Sequence, residues 1–260
     1  MKLTIVVPMY NEERFIRKML DALIAALQDH EWEIEILVVD DGSTDLSCME
    51  VRSIQSSRIR LLEMPTNSGK GAAVRFGISH ASGDLVIVQD ADLEYDPSQY
   101  PKIISPLING HADVVYGSRF IGGKPHRILF FWHTIGNKIL TFASNMLSNL
   151  NLTDMETCYK LFRRETIQSI KLKENRFGFE PEVTAKIAKI PNIRIYEVGI
   201  SYYGRTYEEG KKIGWKDGVR AIWCIAKYNI CICSCILISN NSIRVLRHLA
   251  SVSPGLPIII

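Results

Sequence analysis

The sequence predicts an α/β protein with a mainly parallel central sheet and helices on both of its faces. Short β-branched apolar runs alternate with segments of helical apolar spacing, and polar motifs follow several of the runs. The 260 residues are 47% hydrophobic and 23% charged, a composition typical of globular proteins and not of disordered, collagen-like or coiled-coil chains. A chain of this length buries a core large enough to fold without a disulfide scaffold.

The first half of the chain shows the alternation most clearly. Apolar residues at helical spacing between Phe15 and Leu27, and again over Ala72–Ile78, predict two helices. Ligands of such sheets bind beyond the carboxyl ends of the strands, so functional side chains are expected there. Four runs are predicted to be buried strands: Leu3–Val7, Ile34–Val39, Ile59–Leu62 and Leu85–Val88.

The second half is less regular but continues the same pattern. Neither a repeat nor a low-complexity linker interrupts it, so we expect one integrated catalytic domain over residues 1–228. Its predicted elements are a strand at Val114–Tyr116, a helix at Phe130–Leu150, a strand at Tyr159–Phe162, a helix at Pro181–Ile190, a strand at Arg194–Val198 and a helix at Trp215–Ala226.

Residues 229–260 are predicted to form an apolar tail. Its apolar run Asn229–Ser239 has about half of the roughly 20 residues that a membrane-spanning helix needs. A segment at a membrane interface and a buried helix or strand both fit this run, and we expect the buried element. The six cysteines do not form a secreted disulfide pattern, and no secretory signal is recognised after Met1. A cytoplasmic location is therefore expected.

The two halves of the chain differ in charge. Residues 1–110 carry 10 basic and 17 acidic side chains, whereas residues 111–260 carry 21 basic and 11 acidic side chains. The overall charge of +3 is too small to indicate nucleic-acid binding. The basic half indicates contact with a smaller anionic partner or an anionic membrane surface, although an ordinary solvated basic face gives the same count.

Asp90-Ala91-Asp92 directly follows a predicted strand and is the strongest local signal for chemistry. Two carboxylates at a strand end can bind Mg²⁺ or Mn²⁺ while phosphate oxygens fill the remaining positions. Glu94, two residues later, can supply a third oxygen. A solvated acidic turn before Asp96 is the alternative.

Asp40-Asp41-Gly42-Ser43 follows another predicted strand. A carboxylate there can accept hydrogen bonds from a nucleobase or a ribose. An Asx turn that caps the next helix is the alternative. Both interpretations hold if each aspartate performs one of the two tasks.

The segment from Thr66 to Gly71, TNSGKG, is similar to a phosphate-binding loop. Gly71 stands where a P-loop has Ser or Thr to bind Mg²⁺, so the sequence excludes an NTPase of that type. The glycines still let a ligand approach a helix N-terminus, and Lys70 can contact a phosphate. The sequence lacks a G-x-G-x-x-G after Val7, a G-x-S-x-G and an H-E-x-x-H, which argues against dinucleotide oxidoreductases, triad hydrolases and zinc hydrolases.

Together these motifs resemble those of the family-2 inverting glycosyltransferases, which have a GT-A fold. The matching segments are VVPMYNEE (Val6–Glu13), VVDDGSTD (Val38–Asp45), NSGKGAAVRFG (Asn67–Gly77), GDLVIVQDADLEYDP (Gly83–Pro97) and YGSRF (Tyr116–Phe120). Two later segments resemble the polyprenyl-phosphate branch of the family, which includes the dolichyl-phosphate mannose and glucose synthases. These segments are LTDMETCYKLFRRE (Leu152–Glu165) and SYYGRTYEEGKKIGW (Ser201–Trp215).

The resemblance implies a metal-dependent hexosyltransferase and names its site residues. The nucleoside would be held by Pro8, Tyr10, Glu12, Val39 and Asp41. The metal and the sugar diphosphate would be held by Asp90, Ala91 and Asp92, with Glu94 as a further metal ligand. The phosphates would be contacted by Arg119, and the loop that closes over the donor would contribute Arg205 and Lys212. The residues expected to be catalytic are Asp90, Asp92 and Arg119.

The implied reaction moves glucose or mannose from UDP-glucose or GDP-mannose to a polyprenyl or dolichyl phosphate, with inversion at the anomeric carbon. A phosphate acceptor is already ionised near pH 7 and needs no general base, whereas a hydroxyl acceptor needs one, for which Asp154 and Glu156 are candidates. Transfer to a glycan hydroxyl and a non-catalytic nucleotide-sugar-binding protein are the alternative functions. We expect a peripheral location at the cytoplasmic membrane face, with Ile128–Trp132 or the tail at the interface.

Overall fold

The computed structural model describes residues 1–122, 127, 131–205 and 214–238. The strands of this part of the chain are β1 (Lys2–Met9), β2 (Glu33–Asp40), β3 (Ile59–Glu63), β4 (Leu85–Val88), β5 (Val114–Ser118), β6 (Lys160–Arg163) and β7 (Ile195–Gly199). They form one sheet in the order β3-β2-β1-β4-β6-β5-β7. The predicted α/β class with a mainly parallel sheet is therefore confirmed.

The helices lie between the strands, as the alternation of sequence patterns predicts. They are α1 (Ile16–Leu27), α2 (Ser47–Arg52), α3 (Lys70–His80), α4 (Tyr100–Ile108), α5 (Phe131–Ser148), α6 (Arg164–Ser169), α7 (Phe179–Ile187) and α8 (Trp215–Ile238). Most observed bounds lie within three residues of the predicted ones.

Helix α8 is the largest departure from prediction, because it continues twelve residues beyond the predicted end at Ala226. Its apolar run has no proline or glycine that would stop a helix. The predicted domain boundary at residue 228 falls inside this helix, so the division into a catalytic domain and a tail stays a prediction, and residues 239–260 lie outside the described part of the chain. Among the described residues, no helix combines the length and the hydropathy that crossing a membrane requires.

One strand of the sheet runs against the others. Strand β6 pairs antiparallel with both β4 and β5, whereas the β1–β2, β1–β4, β2–β3 and β5–β7 pairs are parallel. The chain therefore enters β6 at the edge of the sheet where β4 and β5 end. This geometry brings residues just before β6 next to the polar motifs that follow the other strands.

Helix α3 packs closely on the sheet because it carries small residues. Ala73 and Gly77 are buried, and a Cβ added at Gly77 would lie only 2.4 Å from Cγ1 of Val6 in β1. A larger side chain would push the helix away from the strand. The close packing holds the N-terminus of α3, with Lys70, at the carboxyl edge of the sheet.

Candidate active site

A cavity of about 730 Å³ opens beyond the carboxyl ends of β1, β2, β4 and β5. Val39 lies elsewhere, fully buried in the core, and Lys212 is outside the described residues. The other residues predicted from the sequence all line the cavity: Pro8, Tyr10, Glu12, Asp41, Asp90, Ala91, Asp92, Glu94, Arg119 and Arg205.

The two aspartates after β2 make different contacts. Asp40 accepts a hydrogen bond of 3.1 Å from the backbone N–H of Ser43, three residues later, and so holds the local turn. The predicted cap of the next helix is wrong, because α2 starts after Leu46 without a side-chain cap. Each carboxylate oxygen of Asp41 accepts one backbone N–H, from Ser68 and from Gly69, both at 2.7 Å. Gly69 has φ +100°, and a Cβ there would lie 2.4 Å from a backbone oxygen, so this position requires glycine. Because a carboxylate has about four acceptor positions, Asp41 keeps capacity for a ligand in the cavity.

The two aspartates after β4 each contact a cationic side chain. Oδ1 of Asp90 lies 2.8 Å from Nζ of Lys70, and Oδ2 of Asp92 lies 2.6 Å from Nη2 of Arg205. Burial and the negative charges of Asp90 and Glu94 raise the pKa of Asp92 to about 7, although Arg205 opposes this shift. Burial disfavours the charge of Lys70, but Asp90 and other acidic neighbours outweigh it and raise the pKa of Lys70 well above its ordinary value.

The donor chemistry of this pair fits a hard divalent cation. The carboxylates of Asp90 and Asp92 are held together at the cavity wall despite their repulsion, and each already attracts a cation. The part of the chain that the structure describes contains no cluster of three or more His, Cys, Asp or Glu side chains able to hold a metal ion. The two aspartates thus offer protein ligands for part of a coordination shell, which oxygen atoms of other molecules would complete.

Glu94 joins the end of β4 to the segment 202–205. Its Oε2 accepts the hydroxyl of Tyr202 at 2.8 Å, and its Oε1 accepts the backbone N–H of Arg205 at 2.8 Å. Both oxygens are therefore used within the protein, and Glu94 fixes the chain just before residues 206–213. Its predicted role as a further metal ligand stays a prediction.

Arg119 follows β5 and forms a buried ion pair with Asp154. The backbone N–H and Nε of Arg119 donate to Oδ2 of Asp154 at 3.0 and 2.6 Å, and Nη2 donates to Oδ1 at 2.7 Å. Burial disfavours the charge of the Asp154 carboxylate, but Arg119 outweighs it and lowers the pKa of Asp154. Asp154 is thus an ionised side chain that holds Arg119 at the cavity wall.

Glu156 also lines the cavity and belongs to a buried group with Glu180 and Lys160. One oxygen of each glutamate is buried and has no hydrogen-bond partner. Burial, followed by the charge of Glu180, raises the pKa of Glu156 to about 8. Glu156 therefore holds a proton at pH 7.

Helix α8 is attached to the rest of the protein through Glu174. The Glu174 carboxylate accepts hydrogen bonds from Arg220 at 2.6 Å, from Lys227 at 2.9 Å and from Tyr228 at 2.7 Å. Burial disfavours its charge, but these three donors lower the pKa of Glu174 to about 2. This attachment positions Ala221 of α8 in the cavity lining.

The family assignment rests on a match over most of the chain. The model of the family described as "Glycosyl transferase family 2" matches residues 4–171. The chain belongs to glycosyl transferase family 2. The family-2 resemblance of the sequence motifs is thereby confirmed.

Curated relatives of this family-2 chain act in sugar transfer to polyprenyl phosphates, as their names say. It is 28% identical over 214 residues to the dodecaprenyl-phosphate galacturonate synthase of Rhizobium johnstonii, covering 81% of this chain and 62% of the relative. It is 29% identical over 220 residues to the dolichol-phosphate mannosyltransferase of Pyrococcus furiosus, covering 82% of this chain and 61% of the relative. A dolichyl-phosphate β-glucosyltransferase of Trichomonas vaginalis is 31% identical over 217 residues, with 76% and 64% covered. The chain thus spans less than two thirds of the length of these relatives.

Solved structures confirm the GT-A fold of this family-2 chain. Glucosyl-3-phosphoglycerate synthase from Mycobacterium tuberculosis, in complex with Mn²⁺, UDP and phosphoglyceric acid, superposes with a TM-score of 0.68 at 19% identity, covering 87% of this chain and 78% of that one. The same enzyme has been solved with Mg²⁺ and UDP, with a TM-score of 0.64 at 20% identity and coverage of 88% and 79%. At this identity the likeness establishes the fold alone.

Sequence reasoning missed the part of the cavity lining that comes from α5, α8 and the segment before α7. Residues 176 and 177 precede α7, and their segment carries no motif that marks a site. The helices α5 and α8 likewise contain no motif that marks a site. The missed lining residues include Trp132, Asn137, Arg176, Phe177, Asp217 and Ala221.

Proposed function

We propose that this family-2 chain transfers a hexose from a nucleotide-diphosphate sugar to a polyprenyl phosphate, with inversion at the anomeric carbon. The observation that carries the proposal is the convergence of Asp90, Asp92, Arg119 and Arg205 on one cavity. Paired carboxylates suit a divalent cation, and guanidinium groups suit phosphates. The names of the three curated relatives support a polyprenyl-phosphate or dolichyl-phosphate acceptor.

The nucleoside side of the proposed donor site is formed by the ends of β1 and β2. Pro8, Tyr10 and Glu12 line the cavity next to Asp41, whose remaining acceptor positions can receive hydrogen bonds from a base or a ribose. Val39, fully buried in β2, would only support this wall from the core. Lys212 is assigned to the phosphates only by the sequence resemblance.

The diphosphate side of the site is formed by the residues after β4 and β5. Asp90 and Asp92, with Ala91 between them, would hold Mg²⁺ or Mn²⁺, and Glu94 would support them through the segment that it anchors. The bound metal would supply Lewis-acid neutralisation of the departing diphosphate. Arg119 and Arg205 would add fixed positive charge where negative charge develops as the bond from C1 to the diphosphate breaks.

The described candidates for a general base favour a phosphate acceptor. The low pKa of Asp154 and its ion pair with Arg119 make this carboxylate a weak proton acceptor. Glu156 holds a proton at pH 7 because burial and Glu180 raise its pKa to about 8. An acceptor phosphate, with a second pKa of about 6, is ionised already and attacks C1 without losing a proton to the protein.

Membrane association of the proposed enzyme is supported by the exposed apolar side chains of α5 and α8, two helices that pack against each other. Apart from two adjacent pairs, at positions 131–132 and 222–223, successive members on each helix are three, four or seven positions apart, which places them on one side. Trp132 and Ala221 also line the cavity, so the two helices flank it. The exposed set comprises Phe131, Trp132, Ile139, Phe142 and Met146 of α5 with Val219, Ile222, Trp223 and Ile230 of α8. This apolar surface therefore supports contact of the enzyme with a membrane, and the cytoplasmic face stays an expectation from the sequence.

The decisive experiment measures nucleotide release and sugar transfer with UDP-glucose and with GDP-mannose, in Mg²⁺ or Mn²⁺. Each donor is tested with and without a short-chain polyprenyl phosphate. We expect lipid-dependent turnover with one donor, reduced by at least about 100-fold in Asp92→Asn. Asp29→Asn is the matched control, because Asp29 is exposed and lies before β2, at the edge of the sheet opposite the cavity.

Two other outcomes have clear meanings. Donor binding without lipid-dependent turnover would contradict a lipid-phosphate acceptor. Loss of activity in Glu156→Gln at pH 7, with Mn²⁺ binding retained, would indicate a hydroxyl acceptor that needs this residue as a base.

A further inference from the structure

The Arg205 guanidinium lies among three carboxylates at the cavity. Its Nη2 is 2.6 Å from Oδ2 of Asp92, its Nε is 3.4 Å from Oε1 of Glu94, and its Nη1 is 3.5 Å from Oε2 of Glu12. The guanidinium also lies 5.2 Å from the ring centroid of Phe15. One side-chain cation thus occupies the position where several carboxylates converge.

Water hydrates the carboxylates around Arg205 only weakly, because these side chains are largely buried. The side chain of Arg205 is 15% exposed, and those of Asp92, Glu94 and Glu12 are 9%, 12% and 11% exposed. Carboxylates so close together and so weakly hydrated need a positive partner. In the protein without bound ligands, Arg205 is the cation in contact with Asp92. The proposed function assigns this contact to a divalent metal ion.

We propose that Arg205 is the counter-cation of Asp92 in the metal-free protein, and that a divalent cation entering alone has to displace it. The inference rests on the proposed function of the site. An arriving nucleoside diphosphate gives the displaced guanidinium a new anionic partner, so metal ion and nucleotide each strengthen the binding of the other. By thermodynamic reciprocity the two ligands share one coupling free energy, and Arg205 carries a large part of it.

The backbone contacts of Arg205 allow its side chain to move without unfolding the segment. The backbone N–H of Arg205 donates to Glu94 at 2.8 Å, and Glu94 also binds Tyr202, so the main chain is held independently of the guanidinium. Only the side-chain contacts with Asp92 and its neighbours have to be exchanged. Glu94 is, in this account, a positioning residue that keeps Arg205 within reach of both Asp92 and the phosphates.

The test is a titration with Mn²⁺, followed by the electron paramagnetic resonance signal of the free ion, in the absence and in the presence of saturating UDP. The wild type is compared with Arg205→Gln and Arg205→Lys. Arg176→Gln is the matched control, because Arg176 lines the same cavity but forms no ion pair with Asp92, Glu94 or Glu12 in the described part of the chain. Asp92→Asn reports the loss of the metal site, and circular dichroism verifies the fold of each variant.

We expect Arg205→Gln to bind Mn²⁺ alone about tenfold more tightly than the wild type. The factor by which UDP increases the affinity for Mn²⁺ should be at least about tenfold smaller in this variant than in the wild type. Arg205→Lys should fall between the two, and Arg176→Gln should change both values less than threefold. An unchanged or weaker affinity of Arg205→Gln for Mn²⁺ alone would overturn the inference, as would an equal effect of Arg176→Gln. Absence of Mn²⁺ binding to the wild type even with UDP would instead refute the proposed function, and the inference with it.

Discussion

The hydroxyl of Tyr228 donates a hydrogen bond of 2.7 Å to the carboxylate of Glu174, which links the last described helix to the loop before α7. Arg220, about two helical turns before Tyr228 on α8, and Lys227, the residue directly before it, donate to the same carboxylate. A single buried side chain therefore secures the helix that contributes Ala221 to the cavity.

Replacing Glu174 should destabilise the protein in a pH-dependent manner. Glu174→Ala removes the carboxylate that accepts three hydrogen bonds from α8. We expect the free energy of unfolding to fall by roughly 2 kcal/mol at pH 7, equivalent to about 5 °C in Tm. Since the pKa of Glu174 is lowered to about 2 from 4.5, its stabilising contribution is present above pH 4.5 and is lost as the pH falls towards 2. Urea denaturation at pH 7, 4 and 3 should show a narrowing difference from the wild type. The exposed Glu165→Ala is the control, and a constant difference at all three pH values would contradict the prediction.

The buried pair of Arg119 and Asp154 should be more important for stability than an exposed pair of similar geometry. Asp154→Ala leaves the guanidinium buried without a partner, which should cost about 3–5 kcal/mol. Arg52 and Glu63 form an exposed ion pair of 2.6 Å, and Glu63→Ala should cost at most about 1 kcal/mol. Thermal denaturation of both variants measures the contrast. Similar losses in the two variants would show that burial does not strengthen the Arg119–Asp154 pair.

Ionisation of Glu156 should weaken the folded state at alkaline pH. The pKa of Glu156 is raised from 4.5 to about 8 by burial and by Glu180, so the folded protein binds a proton that the unfolded chain releases, and stability falls as the pH rises from 4.5 to 8. Glu156→Gln has no proton to lose. We expect its Tm to exceed that of the wild type by several degrees at pH 8.5 and the gap to close near pH 5. A gap independent of pH would contradict the raised pKa.

Apolar side chains of α5 and α8 should determine binding to membranes. Phe142 and Trp223 are 69% and 58% exposed, so changing both to Glu should leave Tm nearly unchanged. Sedimentation with vesicles that contain anionic lipids should show binding weakened by at least about tenfold, since each large apolar side chain transferred to lipid contributes roughly 1.5–3 kcal/mol. The control Met49→Glu introduces one such charge at a 58% exposed apolar residue of α2. Equal loss in this control would attribute the effect to charge alone.

The strand-end motifs were predictable because parallel strands end at one edge of the sheet. Asp41 after β2 and Asp90 and Asp92 after β4 are local patterns whose meeting follows from topology. The start of the predicted tail is helical, with Ile230 exposed. Its burial stays a prediction, because the side chains beyond Ile230 lie outside the described part.

Contacts between distant segments were not predictable in this way. Arg205 and Asp92 are 113 residues apart, and Lys70 and Glu180 are 110 apart. The raised pKa of Glu156 depends on burial beside Glu180, which no spacing in the sequence encodes. Such properties arise from packing, whereas the motifs that the sequence displays report only which residue types stand near each strand end.

The reversed direction of β6 gives the cavity two walls of separate origin. The wall from β1, β2 and β4 consists of segments that leave the sheet, whereas another part of the lining receives Glu156 from the segment that enters the sheet before Lys160. Asp154 of the same entering segment lies behind this lining and holds Arg119. A substitution in the entering segment can therefore change this part of the lining while the strand pairing that fixes the ends of β1, β2 and β4 stays intact.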